Sequence, residues 1–200
     1  MTARDRGQGG MTAEEFVARL AQDTEYQAAK AAFEAELEER DREWRLAERP
    51  VVADLRAAGV EVDSAWDLVN TSEPYPDALP VLLEHLERGG YPDRVMEGLA
   101  RALAVEPARP MWDRLRTLYL DASGPDERRG LAAALAASAG PAQLEALVEL
   151  LGEDRAGPSR ILFVGAILRV GADRGRALVE SLRDDPVLGA EASAQLEEQA

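Results

Sequence analysis

The sequence predicts an all-α protein: stacked pairs of helices, an α-solenoid, led by one long charged helix. Three observations predict it. The hydrophobic residues, 46% of the 200-residue chain, are mostly Leu, Ala and Val, with only 5% aromatic, and Ala and Leu are strong helix formers. Pro92, Pro125 and Pro158 lie 33 residues apart, and each opens an apolar helical pattern. Between them a second kind of helix recurs, with Leu82, Leu115, Leu147 and Leu178 at equivalent places, 33, 32 and 31 residues apart. Self-similarity at this period with two helices per unit marks a solenoid. The apolar stripe of one unit is buried only when its neighbours stack on it.

The elements follow in chain order. Residues 1–10, MTARDRGQGG, are polar and Gly-rich and read as a disordered N-terminus. Residues 11–60 read as a charged helical extension. Thr12 and Glu15 form a capping-box pattern at its start. Phe16, Leu20, Tyr26, Phe33, Leu37 and Trp44 make a thin apolar stripe at helical spacing, and EAELEERDREWR mixes charges along a solvated face. Leu37, Trp44 and Val51 are seven apart, a line too short for a coiled coil. Pro50 is expected to end or kink this helix, with a short helix resuming to a left-handed cap at Gly59. Residues 61–200 hold the repeats. Before the first comes an irregular segment, WDLVNTSEPYP, with Pro-rich turns. The helices then alternate: PDALPVLLEHLE, YPDRVMEGLARAL, RPMWDRLRTLYLDA, GPDERRGLAAALAAS, AQLEALVELLGED, GPSRILFVGAILRVG, GRALVESLRDD, and a looser last copy at Pro186. A proline in the first helical turn loses no hydrogen bond and pre-sets φ, so it suits a sharp corner. The run RVGADRGRA, residues 169–177, reads as another inter-helix corner.

The pattern of Pro, then Asp or Ser, then Arg, then an Ala/Leu-rich helix resembles the HEAT repeat in its short bacterial form. Pro92-Asp93-Arg94 and Pro125-Asp126 with Arg128 carry it, Pro158-Ser159-Arg160 carries it with Ser for Asp, and Pro186-Val187 departs from it as a degenerate capping unit would. The resemblance covers about residues 62–198. It implies a right-handed solenoid of about four to five HEAT-like hairpins and a protein-binding scaffold, as in uncharacterised bacterial HEAT-domain proteins.

Several chemistries are excluded by inventory. No cysteine is present, so there is no disulfide, thiol nucleophile or thiolate metal site. His85 is the only histidine. It is read as an exposed or half-buried helix residue, too few for the di-iron sites of some HEAT-like hydroxylases. No P-loop or dinucleotide fingerprint occurs. Net charge is −15, and residues 61–200 alone carry 14 Arg against 25 acidic residues, which argues against phosphate backbones and hence nucleic acid. No apolar run reaches the length of a membrane span. The first ten residues lack the apolar core of a secretory signal, so a cytoplasmic protein is expected.

The candidate binding residues are Trp66, Asp67, Asn70, Glu73 and Tyr75 in the irregular segment, with Trp112 and Arg114 beyond it. Aromatic and amide side chains in loops are frequent at interfaces, and core packing is the competing role for Trp66, Tyr75 and Trp112. Arg94, Arg128 and Arg160 are expected to pair from repeat to repeat with Asp93, Asp126 or a backbone carbonyl. These readings predict a non-enzymatic scaffold with no cofactor, whose protein partner carries basic surface. A narrower form is an immunity or antitoxin-like inhibitor masking a basic toxin. An enzyme with its site between the N-terminal helix and the solenoid is a further alternative. Weak homodimerisation through Phe33, Leu37 and Trp44 is another.

Overall fold

A computed structural model describes residues 12–198; the expectation for residues 1–10 lies outside them. Every regular element among the described residues is helical. The chain divides into two compact units between Glu43 and Trp44, inside one helix.

The first unit holds α1 (Ala13–Gln22) and the start of α2 (Thr24–Ala57). The Asp23 carboxylate accepts the backbone N–H of Glu25 and Tyr26, 3.1 and 3.0 Å away, and so starts α2. The face is held by local pairs such as Lys30–Glu34, and Phe16, Val17, Tyr26, Phe33 and Leu37 are exposed.

The second unit begins with the end of α2. Pro50 does not end this helix, which runs through it to Ala57. A proline there removes one backbone hydrogen bond, but the flanking residues are anchored elsewhere. Val51 and Leu55 are fully buried, and the buried Glu48 carboxylate accepts Ala65 N–H at 2.7 Å and the Ser64 hydroxyl at 2.9 Å. Gly59 then takes φ 84°, as its place after the helix predicts.

The rest is a series of paired helices: α3 (Trp66–Val69), α4 (Ala78–Arg88), α5 (Asp93–Ala102), α6 (Trp112–Asp121), α7 (Pro125–Ser138), α8 (Leu144–Leu151), α9 (Ile161–Ser181) and α10 (Gly189–Glu198). Short 3-10 turns lead into α6, α8 and α9. Within pairs, α4 packs on α5, α6 on α7 and α8 on α9; between pairs, α5 packs on α7 and α7 on α9. Leu82, Leu115 and Leu147, the marker leucines of the second helix type, are fully buried, whereas Leu178 is only partly so. The corner expected at residues 169–177 is real. Within α9, Ala172 takes φ 45°, ψ −136° and breaks the helix into two arms.

The proline corners are joined by an aspartate. Asp93 on α5 accepts Asp126 N–H (3.0 Å) and Glu127 N–H (2.8 Å) at the start of α7. One repeat thus caps the next. The close approach requires glycine at 124, where an added Cβ would lie 1.9 Å from Asp93 Oδ1. Burial and the nearby Asp93 charge push the Glu127 carboxyl above the ordinary range. In the last unit the aspartate precedes the proline and acts locally: Asp185 accepts Leu188 and Val187 N–H, which hold its pKa down.

Two of the arginines that follow the prolines bond backbone carbonyls at the corners. Arg128 donates to Ala122 O, and Arg160 to Leu151 O (3.1 Å) and Gly157 O (3.2 Å). Both tie a corner to the end of the helix before it. A series of ion pairs between units runs along the other helices: Glu87–Arg114 (α4 to α6), Arg116–Glu149 (α6 to α8) and Glu145–Arg174 (α8 to the second arm of α9).

Candidate functional site

The irregular segment after Gly59 folds around a cleft of about 480 Å³. Its wall includes Glu61, Asp67, Glu73 and Asp77 together with Tyr75 and the prolines on either side of it; no basic residue is among the described lining. The local sequence explains the shape. Pro74 and Pro76 keep the chain extended between α3 and α4 and remove two backbone donors. Tyr75, half-buried between them, donates its hydroxyl to Ala102 O at the end of α5 (3.1 Å). That bond pins the loop to the helical body, and burial raises the Tyr75 pKa, so the phenol stays neutral.

The four carboxylates differ in what they already hold. Asp67 Oδ2 accepts Asp63 N–H (2.8 Å) and Ser64 N–H (3.0 Å), closing the turn before α3. Glu61 lies 3.9 Å from Arg56, an exposed and weak pairing. Glu73 and Asp77 are exposed, and their carboxylates have no partner among the described residues. No three His, Cys, Asp or Glu side chains converge to hold a metal ion among the described residues.

The other candidate residues go elsewhere. Asn70 is exposed and reaches only Trp66 O, at 3.4 Å. Trp66 leaves the cleft and lies on α5, where an added Cβ at Gly98 would sit 2.6 Å from its Nε1. The Arg94 guanidinium stacks over its ring, 3.9 Å from the centroid. Trp112 is 3% exposed and donates Nε1–H to Leu135 O at 3.0 Å; it packs the core and offers no surface to a partner. Arg114 grips Glu87 through two nitrogens, at 2.6 and 2.5 Å, and belongs to the series of ion pairs between units.

Two buried clusters escaped sequence reading. Glu97, 1% exposed on α5, receives Arg94 (2.5 Å), Arg101 (2.9 Å) and, from α7, Arg129 (3.0 Å). Burial alone would raise its pKa. The hydrogen bonds from Arg129, Arg101 and Arg94 outweigh that and hold the carboxyl below the ordinary glutamate range. His85, expected to be exposed or half-buried, is 1% exposed. Its Nε2 lies 3.0 Å from Asp54 Oδ2 and its Nδ1 2.6 Å from the Tyr91 hydroxyl. The reason is topological: α2 supplies an acceptor 31 residues before it, and the Gly89-Gly90 corner turns Tyr91 back onto the ring.

No helix among the described residues is long and apolar enough to cross a membrane. Comparison with protein-family models, curated proteins and solved structures gives no match to this chain.

Proposed function

We propose that the chain is a non-enzymatic protein-binding module. In this reading its paired helices stack as a short right-handed HEAT-like solenoid. The acidic cleft receives a basic, extended segment of a protein partner. The observation that carries the proposal is the pair Glu73 and Asp77, two carboxylates without partners beside the half-buried Tyr75. Unpaired carboxylates at a concave surface attract guanidinium or ammonium groups, and a tyrosine face adds cation–π attraction. The carboxylates do not converge on a point, which suits charges strung along a chain better than one ion. A binding role also fits the hydroxyls. The Tyr75 proton is committed to Ala102 O, and Thr71 Oγ1 accepts Glu73 N–H. No histidine lines the cleft among the described residues to activate either.

The test is fluorescence anisotropy with a labelled peptide alternating Arg and Pro. Saturable binding that weakens steeply with salt is expected. The double variant Glu73→Gln, Asp77→Asn is expected to bind at least about tenfold more weakly. Equal binding by the double variant, or no saturable binding at low salt, overturns the reading.

A further inference from the structure

A second concavity lies where the starts of α7 and α9 approach the end of α5. It measures about 380 Å³. Pro125, Pro158, Ile161 and Leu162 supply an apolar floor, and Arg101, Arg128 and Arg129 supply the rim. No acidic residue is among its described lining. In a chain of net charge −15, three arginines around one apolar hollow are a marked departure.

Arg101 and Arg129 are held, but not saturated. Arg101 bonds within the protein only through Nε, to Glu97, so both its terminal nitrogens remain available among the described residues. Arg129 uses Nε on Glu97 and Nη2 on Asp126, leaving Nη1. The shared carboxylate lies on the protein side and fixes both guanidiniums without closing the groove. Prefixed guanidinium donors recognise a planar anion with little loss of side-chain freedom.

We infer that this groove is a binding site for a small organic acid, one carboxylate head on a short apolar body. The head meets Arg101 and Arg129, and the body lies on Ile161, Leu162 and the two prolines. Two magnitudes select that class. The volume falls within the range of small-molecule sites, about 300–1,000 Å³, too small for a folded element. Charges beyond about 8 Å are screened at physiological ionic strength. A single-headed anion therefore feels only the local groups, the guanidiniums of Arg101, Arg128 and Arg129 with the carboxylates of Glu97 and Asp126 that two of them hold, whereas an acidic chain or nucleic acid would extend into the wider acidic surroundings and be repelled.

The experiment uses the full chain with methyl-labelled Ile and Leu, titrated with hexanoate, hexanol and hexyl phosphate. Hexanoate is expected to give saturable shifts at Ile161 and Leu162, with hexanol roughly tenfold weaker for want of a charge-assisted hydrogen bond. Arg101→Gln is expected to reduce hexanoate binding toward the hexanol level while leaving hexanol unchanged. Should that variant fail to fold, Leu162→Asp places a like charge beside the head and is expected to abolish hexanoate binding. Hexanoate no better than hexanol, shifts away from Ile161 and Leu162, or binding unaffected in the folded variant each overturn the assignment. Tighter binding of hexyl phosphate than hexanoate overturns the carboxylate class in favour of a phosphate head.

Discussion

The acidic cleft and the arginine-rimmed groove are opposites in more than sign. The cleft is built by loop residues between α3 and α4, and two of its four carboxylates, Glu73 and Asp77, bond to nothing described. The groove is built by residues of α5, α7, α9 and the 3-10 turn before α9, and Arg101 and Arg129 both bond one buried carboxylate, Glu97, with Arg129 also holding Asp126. Acid is abundant in this chain and base is scarce: 38 acidic residues against 23 basic. The scarce charge is used to join elements, and the abundant charge is left over for display. Net charge therefore describes the cleft and misdescribes the groove.

Removing Glu97 is the largest available perturbation of that contrast. Glu97→Gln leaves Arg94, Arg101 and Arg129, each partly exposed, converging on a neutral amide, and the loss of these charge-assisted hydrogen bonds is expected to destabilise by about 2 kcal/mol. Urea unfolding at neutral pH measures it. The pH dependence has a definite sign. The folded-state pKa of Glu97 is depressed, so its contribution is present above the ordinary glutamate value of about 4.3 and is lost as pH falls through the lower folded-state value. Wild type is expected to lose stability more steeply than Glu97→Gln as pH falls below about 4.3. Parallel acid profiles would mean that the cluster is not a joint.

The Asp93–Gly124 contact comes next in size. Asp93→Ala removes a cap that α5 lends to α7 and is expected to cost about 1 kcal/mol. Gly124→Ala forces a Cβ against the Asp93 carboxylate and is expected to cost more. In the Asp93→Ala background the Gly124→Ala penalty is expected to shrink, since the clashing group is gone. Additive penalties in thermal unfolding would place the strain elsewhere. Smaller again is Ala172→Gly. A non-glycine residue at φ 45° is strained, so this variant is expected to raise stability by about 0.5 kcal/mol, the relieved strain less the backbone entropy that glycine loses on folding.

How much of this was legible follows the range of each interaction. Pro92, Pro125 and Pro158 act on their own φ and on the next turn, so the helix starts could be read from the chain. The segment from Trp66 to Pro76 drew notice because its periodicity fails, and it does carry Asp67, Glu73 and Tyr75 into one cleft. Asp77 went unmarked, because nothing local separates it from any other helix-end carboxylate. Glu97 reads as one more charged residue of an amphipathic helix; its partner Arg129 lies 32 residues on. Trp66 and Trp112 look alike as sequence, yet one lies under an arginine and the other is buried against Leu135 O. Of the end or kink expected at Pro50, the end does not occur, because a missing hydrogen bond is local while the burial of Val51 and Leu55 that overrides it is tertiary. The one long-range pairing that repeats foreshadow is Asp93 with Gly124-Pro125. The same Pro-Asp returns after one period, and the first copy caps the second.

The smallest expected stability effect tests the contrast most sharply. Glu73 and Asp77 have no partners to lose, so the double variant Glu73→Gln, Asp77→Asn is expected to leave the urea midpoint unchanged or slightly raised, since it relieves like-charge repulsion in an acidic protein. The same variant is expected to weaken basic-peptide binding. A change in binding without a change in stability marks residues kept for a partner, because folding gains nothing from them. A clear fall in the midpoint would instead show that the cleft carboxylates hold the Pro74–Pro76 turn in place. The cleft would then be a joint like the groove, and the difference between the two regions would be one of sign alone.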